Sequence, residues 1–75
     1  MNTQIEEKYS KQSIDRILFI KEEILTKLKK DNVKTLGQLS KKTRTDLKNY
    51  GFESFEINKI DIELQLLGLS LKGSN

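Results

Sequence analysis

The carboxylate pairs Glu22-Glu23 and Glu53/Glu56 are groups in this 75-residue sequence that could do chemistry. Paired carboxylates run acid–base reactions when burial pushes their pKa values apart. Burial of that kind needs a pocket, and a chain this short hides only about 60% of its unfolded surface. Both pairs therefore read as solvated helix charges. Histidine and cysteine are absent. That removes the usual general base, the thiolate nucleophile and the commonest metal ligands. Serine–histidine–aspartate and cysteine–histidine catalysis, His- or Cys-ligated metal sites and disulfides are excluded with them. The expectation is a non-enzymatic protein with no cofactor, no metal and no small-molecule substrate.

The lysines offer a different chemistry. The net charge is +3 and the sequence pI is near 9.2. Residues 21–48 carry nine basic against four acidic side chains, a local +5, whereas residues 49–75 carry two against four, a local −2. Lys29-Lys30 and Lys41-Lys42, with Lys27 and Lys34, form a phosphate-binding surface if the fold brings them together. Otherwise they are an ordinary solvated face. Tyr9, Phe19, Tyr50, Phe52 and Phe55 could stack on bases. Most of so few aromatics belong to a small core, with Phe52, beside Gly51, the candidate for an exposed hairpin tip.

The elements that must position these residues are nearly all helical. Hydrophobic residues are 35% and charged residues 33% of the chain, which is poor in apolar side chains without reaching the extreme of disorder. Ile14, Ile17, Leu18, Ile24, Leu25 and Leu28 fall on one stripe at helical period. With no glycine or proline between Ser13 and Lys30, propensity permits one continuous helix capped by Ser13. Asp31-Asn32 ends it, because asparagine tolerates a left-handed conformation. Thr35 caps a short helix holding Leu36 and Leu39. Thr43 caps another, with Asp46 at capping-box spacing and Leu47 and Tyr50 turned inward. Gly51 makes a tight turn. Ser54 caps a last helix that runs to about Leu67, where Gly68 closes it and Leu69 or Leu71 folds back.

That last helix is apolar on two sides. Ile57, Ile60, Leu64 and Leu67 share one face, and Phe55, Ile62 and Leu66 share nearly the opposite one. One face serves the core. The other needs a cover, from Ile5, Tyr9 or Phe19 of the N-terminal segment or from a partner. The first ten residues contain no apolar targeting core, and the longest apolar run, Ile17–Ile20, is far short of the roughly 20 residues a membrane span needs. No membrane association and a cytoplasmic location are expected.

The stretch Asp31-Asn32-Val33-Lys34-Thr35-Leu36-Gly37-Gln38-Leu39 resembles a segment of the C-terminal domain of the bacterial RNA polymerase alpha subunit. That family carries acidic-Asn-Ile-x-Thr-Leu-Gly-Glu-Leu after its first full helix. Ser13-Ile14-Asp15-Arg16-Ile17 is similar to its pre-helix segment. Asp46-Leu47, then Ile57, Asn58 and Ile60, then Gly68-Leu69-Ser70-Leu71 are similar to its later motifs in order and spacing. The resemblance covers residues 13–71. It implies an all-α fold, a compact SAM-like bundle of four to five short helices ending in a helix–hairpin–helix-type unit. Residues 1–12 would then be an N-terminal arm or extra helix and residues 72–75 a flexible tail. Because the family's pre-helix segment is not helical, the resemblance places a break near Ile20.

The family binds the minor groove of A·T-rich DNA and docks onto transcription activators and sigma factor. Counting back from Asp31 without gaps, its groove-reading arginine falls on Glu23, its asparagine on Thr26 and a phosphate-side lysine on Lys29. If the first helix is two residues longer, the arginine position falls on Lys21. In the hairpin loop Glu53 stands where the family has lysine, and Ser54 is retained as a helix cap. The resulting expectation is a transcription-related module holding duplex DNA mainly through phosphate contacts from Lys21, Thr26, Lys29, Lys30, Lys34 and Ser54. The alternative is a protein-interaction module on the same fold. It would dock RNA polymerase, a transcription regulator or a second copy as a homodimer through Phe55, Ile62 and Leu66.

Overall fold

A computed structural model describes residues 9–73 of the protein. A 3-10 turn, Ile14–Arg16, is followed by four α-helices: α1 Glu22–Lys30, α2 Leu36–Ser40, α3 Arg44–Tyr50 and α4 Ser54–Leu66. No strand forms among the described residues, which hold one isolated antiparallel bridge between Ser13 and Thr35. Around that bridge the Ile14 N–H donates to the Lys34 carbonyl at 3.0 Å, and the Leu36 N–H donates to the Gln12 carbonyl at 2.8 Å. The chain before α1 is thereby tied to the chain after it.

The stripe from Ile14 to Leu28 is broken as the resemblance implies. Ser13 caps only the 3-10 turn, its Oγ accepting the Asp15 N–H, and Ile17 and Lys21 are extended. No glycine or proline marks the break. Four isoleucines, Ile14, Ile17, Ile20 and Ile24, give this stretch only moderate helix propensity, and the tie to Lys34 overrides it. Ile14, Ile17, Ile20, Ile24 and Leu28 are all buried. Leu18, expected on the same stripe, is instead 90% exposed, because the non-helical backbone after Arg16 turns it to solvent.

Local signals set the other ends. Asn32 adopts φ 62° after α1. Thr35–Gln38 and Thr43–Asp46 each close a reciprocal capping box, which satisfies amides that a short helix would leave bare. Gly51 takes φ 112° after α3. The next N–H, that of Phe52, bonds back to the Leu47 carbonyl at 3.2 Å and the ring enters the core. Phe52 is 3% exposed, so the expectation of an exposed hairpin tip is wrong. The cap of α4 lies one residue earlier than expected. Glu53 is the N-cap, its N–H donating to Glu56 Oε1 at 2.9 Å, and Ser54 is the first helical residue. Glu56 is consequently buried at 4% exposure rather than solvated. After α4, Gly68 takes φ 80° and the Leu69 N–H returns to the Leu64 carbonyl at 2.8 Å. Leu71 is thereby folded back and fully buried.

The core lies between α1, α3 and α4, where α3 packs on both of the others. Leu36 and Leu39 of α2, Val33, Phe52 and Leu71 close it. The Cα radius of gyration, 11.5 Å, agrees with the roughly 11 Å expected of a folded chain this long.

Candidate interaction surface

α4 turns Ile57, Ile60 and Leu64 into the core. Phe55, Ile62 and Leu66 lie on the opposite side, at successive steps of seven and four residues, and are 58%, 57% and 75% exposed. Lys59 completes this stripe at helical period. Neither Tyr9 nor Phe19 covers it. The Arg16 guanidinium sits over the Tyr9 ring at 5.4 Å, and the Lys59 ammonium sits over the half-buried Phe19 ring at 5.4 Å. Ile5 lies outside the described residues. Beside the stripe, Leu18, Phe19, Arg16, Ile17 and Glu63 line a shallow hollow. The exposed surface is therefore apolar along α4, with Lys59 and Glu63 on the flank nearest Phe19 and Leu18.

The candidate DNA contacts are divided between two places. The first turns of α1 lie against the turn into α4: a β-carbon on Gly51 would meet Ile24 Cδ1 at 3.6 Å. Lys21, the exposed N-cap of α1, is at this edge. So are the exposed Glu22, Glu23 and Glu53, which outnumber it. Thr26 donates its hydroxyl to the Glu22 carbonyl at 2.9 Å, and Ser54 is exposed. Lys29, Lys30 and Lys34 belong to the other end of α1, roughly 13 Å away for nine residues. Lys29 is paired with Asp15 at 3.1 Å, and this bond, followed by that from Ser13, holds the Asp15 carboxyl below its ordinary pKa. Lys30 and Lys34 are exposed.

A polar cleft lined by Asp31, Lys42, Asp46, Asn49 and Tyr50 joins the end of α1 to α3. The Tyr50 hydroxyl donates to Asp31 Oδ2 at 2.5 Å. That bond, aided by burial, pushes the phenol up to about 12. The Thr43 N–H, then its hydroxyl, hold Asp46 below the usual carboxylate range. These groups cap and clamp helices. Among the described residues no group of three or more His, Cys, Asp or Glu side chains could hold a metal ion, and no helix is long and apolar enough to cross a membrane.

Two residues were not legible as important. Asp61 is 6% exposed; its Oδ2 accepts from Arg44 Nη2 at 3.1 Å and Gln65 Nε2 at 3.0 Å, and its Oδ1 accepts from the Leu71 N–H at 3.4 Å. Its place beside Ile57, Ile60 and Leu64 on the helix was the available signal. Leu18 had none, because its exposure depends on the break in the chain. Comparison with protein-family models, curated proteins and solved structures gives no match.

Proposed function

We propose that the protein is a non-enzymatic docking module that recognises a protein partner through the outer face of α4. The observation that carries this reading is the row of bare apolar side chains Phe55, Ile62 and Leu66 in a sequence poor in apolar residues. Three large apolar side chains exposed in one row make the kind of surface patch that is often functional on a monomeric protein. The resemblance to the RNA polymerase alpha C-terminal domain makes polymerase or one of its regulators the first partner to test.

Phosphate-backbone binding to duplex DNA is the second reading. It is favoured by Lys27, Lys30 and Lys34, which have no side-chain partner among the described residues. It is opposed by Glu22, Glu23 and Glu53 at the edge where the resembling family reads the groove, since carboxylates there repel phosphate.

An NMR titration separates the two. Bacterial RNA polymerase, or raised concentration of the protein itself, should shift the amides of Phe55, Ile62 and Leu66 with little dependence on salt. Ile62→Asp should abolish the shift. Binding of A·T-rich duplex would instead shift lysine-bearing segments and fall with log salt at a slope of about −0.9 per phosphate contact. If the α4 amides stay still under every protein addition while duplex shifts the lysines, the docking reading fails and the DNA reading replaces it.

A further inference from the structure

We infer that the face of α4 is self-complementary and that its occupant is a second copy of this chain, paired antiparallel about a two-fold axis. The inference rests on the docking reading and names the partner. Its basis is the order of side chains along the stripe: Phe55, Lys59, Ile62, Leu66, with Glu63 on the flank that Lys59 shares. In an antiparallel pair centred near residue 61, each residue meets one whose number brings the sum close to 122. Phe55 then faces Leu66 of the other copy, and Ile62 faces its own counterpart at the axis. Lys59 faces the other copy's Glu63, and Glu63 its Lys59. A two-fold axis of this kind keeps side chains of one flank on the same flank of both helices, so the two charge pairs form together. All these matches follow from a single placement.

The charges are available for that exchange. Among the described residues the ion pairs are Lys29–Asp15 and Arg44–Asp61, so neither Lys59 nor Glu63 has an ionic partner among them. Phe19 holds the Lys59 ammonium on the flank where Glu63 also lies. One face of a 13-residue helix against another makes a small interface, at the low end of the specific ones. A weak dimer is expected from so small a contact.

Sedimentation equilibrium of the full chain across the micromolar to millimolar range tests this. The expected result is a reversible monomer–dimer equilibrium. Lys59→Glu should weaken it about tenfold, and the exchange Lys59→Glu with Glu63→Lys should restore it to within about threefold. Ile62→Asp, which sets two carboxylates face to face at the axis, should abolish it. All three altered positions, 59, 62 and 63, are on the solvent side of α4, and unchanged thermal melts in dilute solution verify the fold. A protein that stays monomeric at millimolar concentration overturns the inference, as does a dimer indifferent to the charge reversal. In either case α4 amides that still shift with RNA polymerase would leave the docking reading standing with a different occupant.

Discussion

Replacing Asp61 with alanine tests how the end of the chain is held. Asp61 takes three hydrogen bonds, and the fate of each donor sets the magnitude. The Arg44 side chain is 47% exposed and Gln65 is exposed, so both donors return to water when the carboxylate goes. Each such loss costs only the net value of a hydrogen bond, about 1 kcal/mol. The Leu71 N–H belongs to a fully buried residue and is left without its acceptor, which costs about 1–3 kcal/mol. Its 3.4 Å length argues for the low end. Relief of the carboxylate's own desolvation offsets part of the sum. The expected loss is about 2–3 kcal/mol, against a total stability of about 4–11 kcal/mol for 75 residues. That should lower Tm by roughly 10–20 °C and move the urea midpoint by about 2 M. Arg44→Ala should cost less, about 1 kcal/mol, because water can reach the vacated half-exposed side. Amide exchange at Leu71 should quicken in Asp61→Ala and not in Arg44→Ala. An Asp61→Ala protein within about 0.5 kcal/mol of the parent, or an Arg44→Ala protein that loses more, would refute the idea that this carboxylate anchors the C-terminal turn.

Two further outcomes are expected. Gly37→Ala places a β-carbon 2.8 Å from Ser10 Cβ and 2.9 Å from the Ser10 carbonyl oxygen. The gain in helix propensity is about 1 kcal/mol, the overpacking costs about 1–3 kcal/mol, and the net effect should be a modest destabilisation with faster exchange at Leu36, whose N–H bonds to Gln12. A melt that rises would show that Ser10 moves aside freely. The Tyr50 phenol, raised to about 12 from 10.0, binds its proton more tightly in the folded state. Its contribution to stability is complete below pH 10 and is lost as pH climbs through 12. Tyrosinate absorbance should show a step near pH 12 that moves down towards 10 in Asp31→Asn, and an unmoved midpoint would discount the bond to Asp31.

The features legible in the sequence are those fixed within a few residues. Thr35 with Gln38 and Thr43 with Asp46 carry their capping geometry locally, and Asn32, Gly51 and Gly68 supply the left-handed turns that end helices. Misreadings occur where tertiary contacts choose between local options. Ser54 is a better cap by type than Glu53, but Glu56 turns inward and fixes the box one residue earlier. Phe52 looks like a loop tip because it follows Gly51, yet closure onto the Leu47 carbonyl aims the ring at the core. The break after Arg16 depends on backbone bonds to residues 34–36, some 20 positions away, which no window of local sequence contains.

The candidate surface shows the same division. The second apolar face of α4 was readable because helical period alone sorts its residues, and the core takes only one of the two stripes. The charge surface was not readable, because +5 over residues 21–48 says nothing of which end of α1 each lysine occupies. Folding explains Ile57, Ile60 and Leu64, each worth about 1.5–3 kcal/mol when sealed from water. It gives no corresponding return for Phe55, Ile62 and Leu66, which remain more than half exposed. A small chain with so few apolar residues could place polar ones at those positions at no cost to its core. Burial against a second surface is the circumstance in which those three side chains contribute what the inner three do.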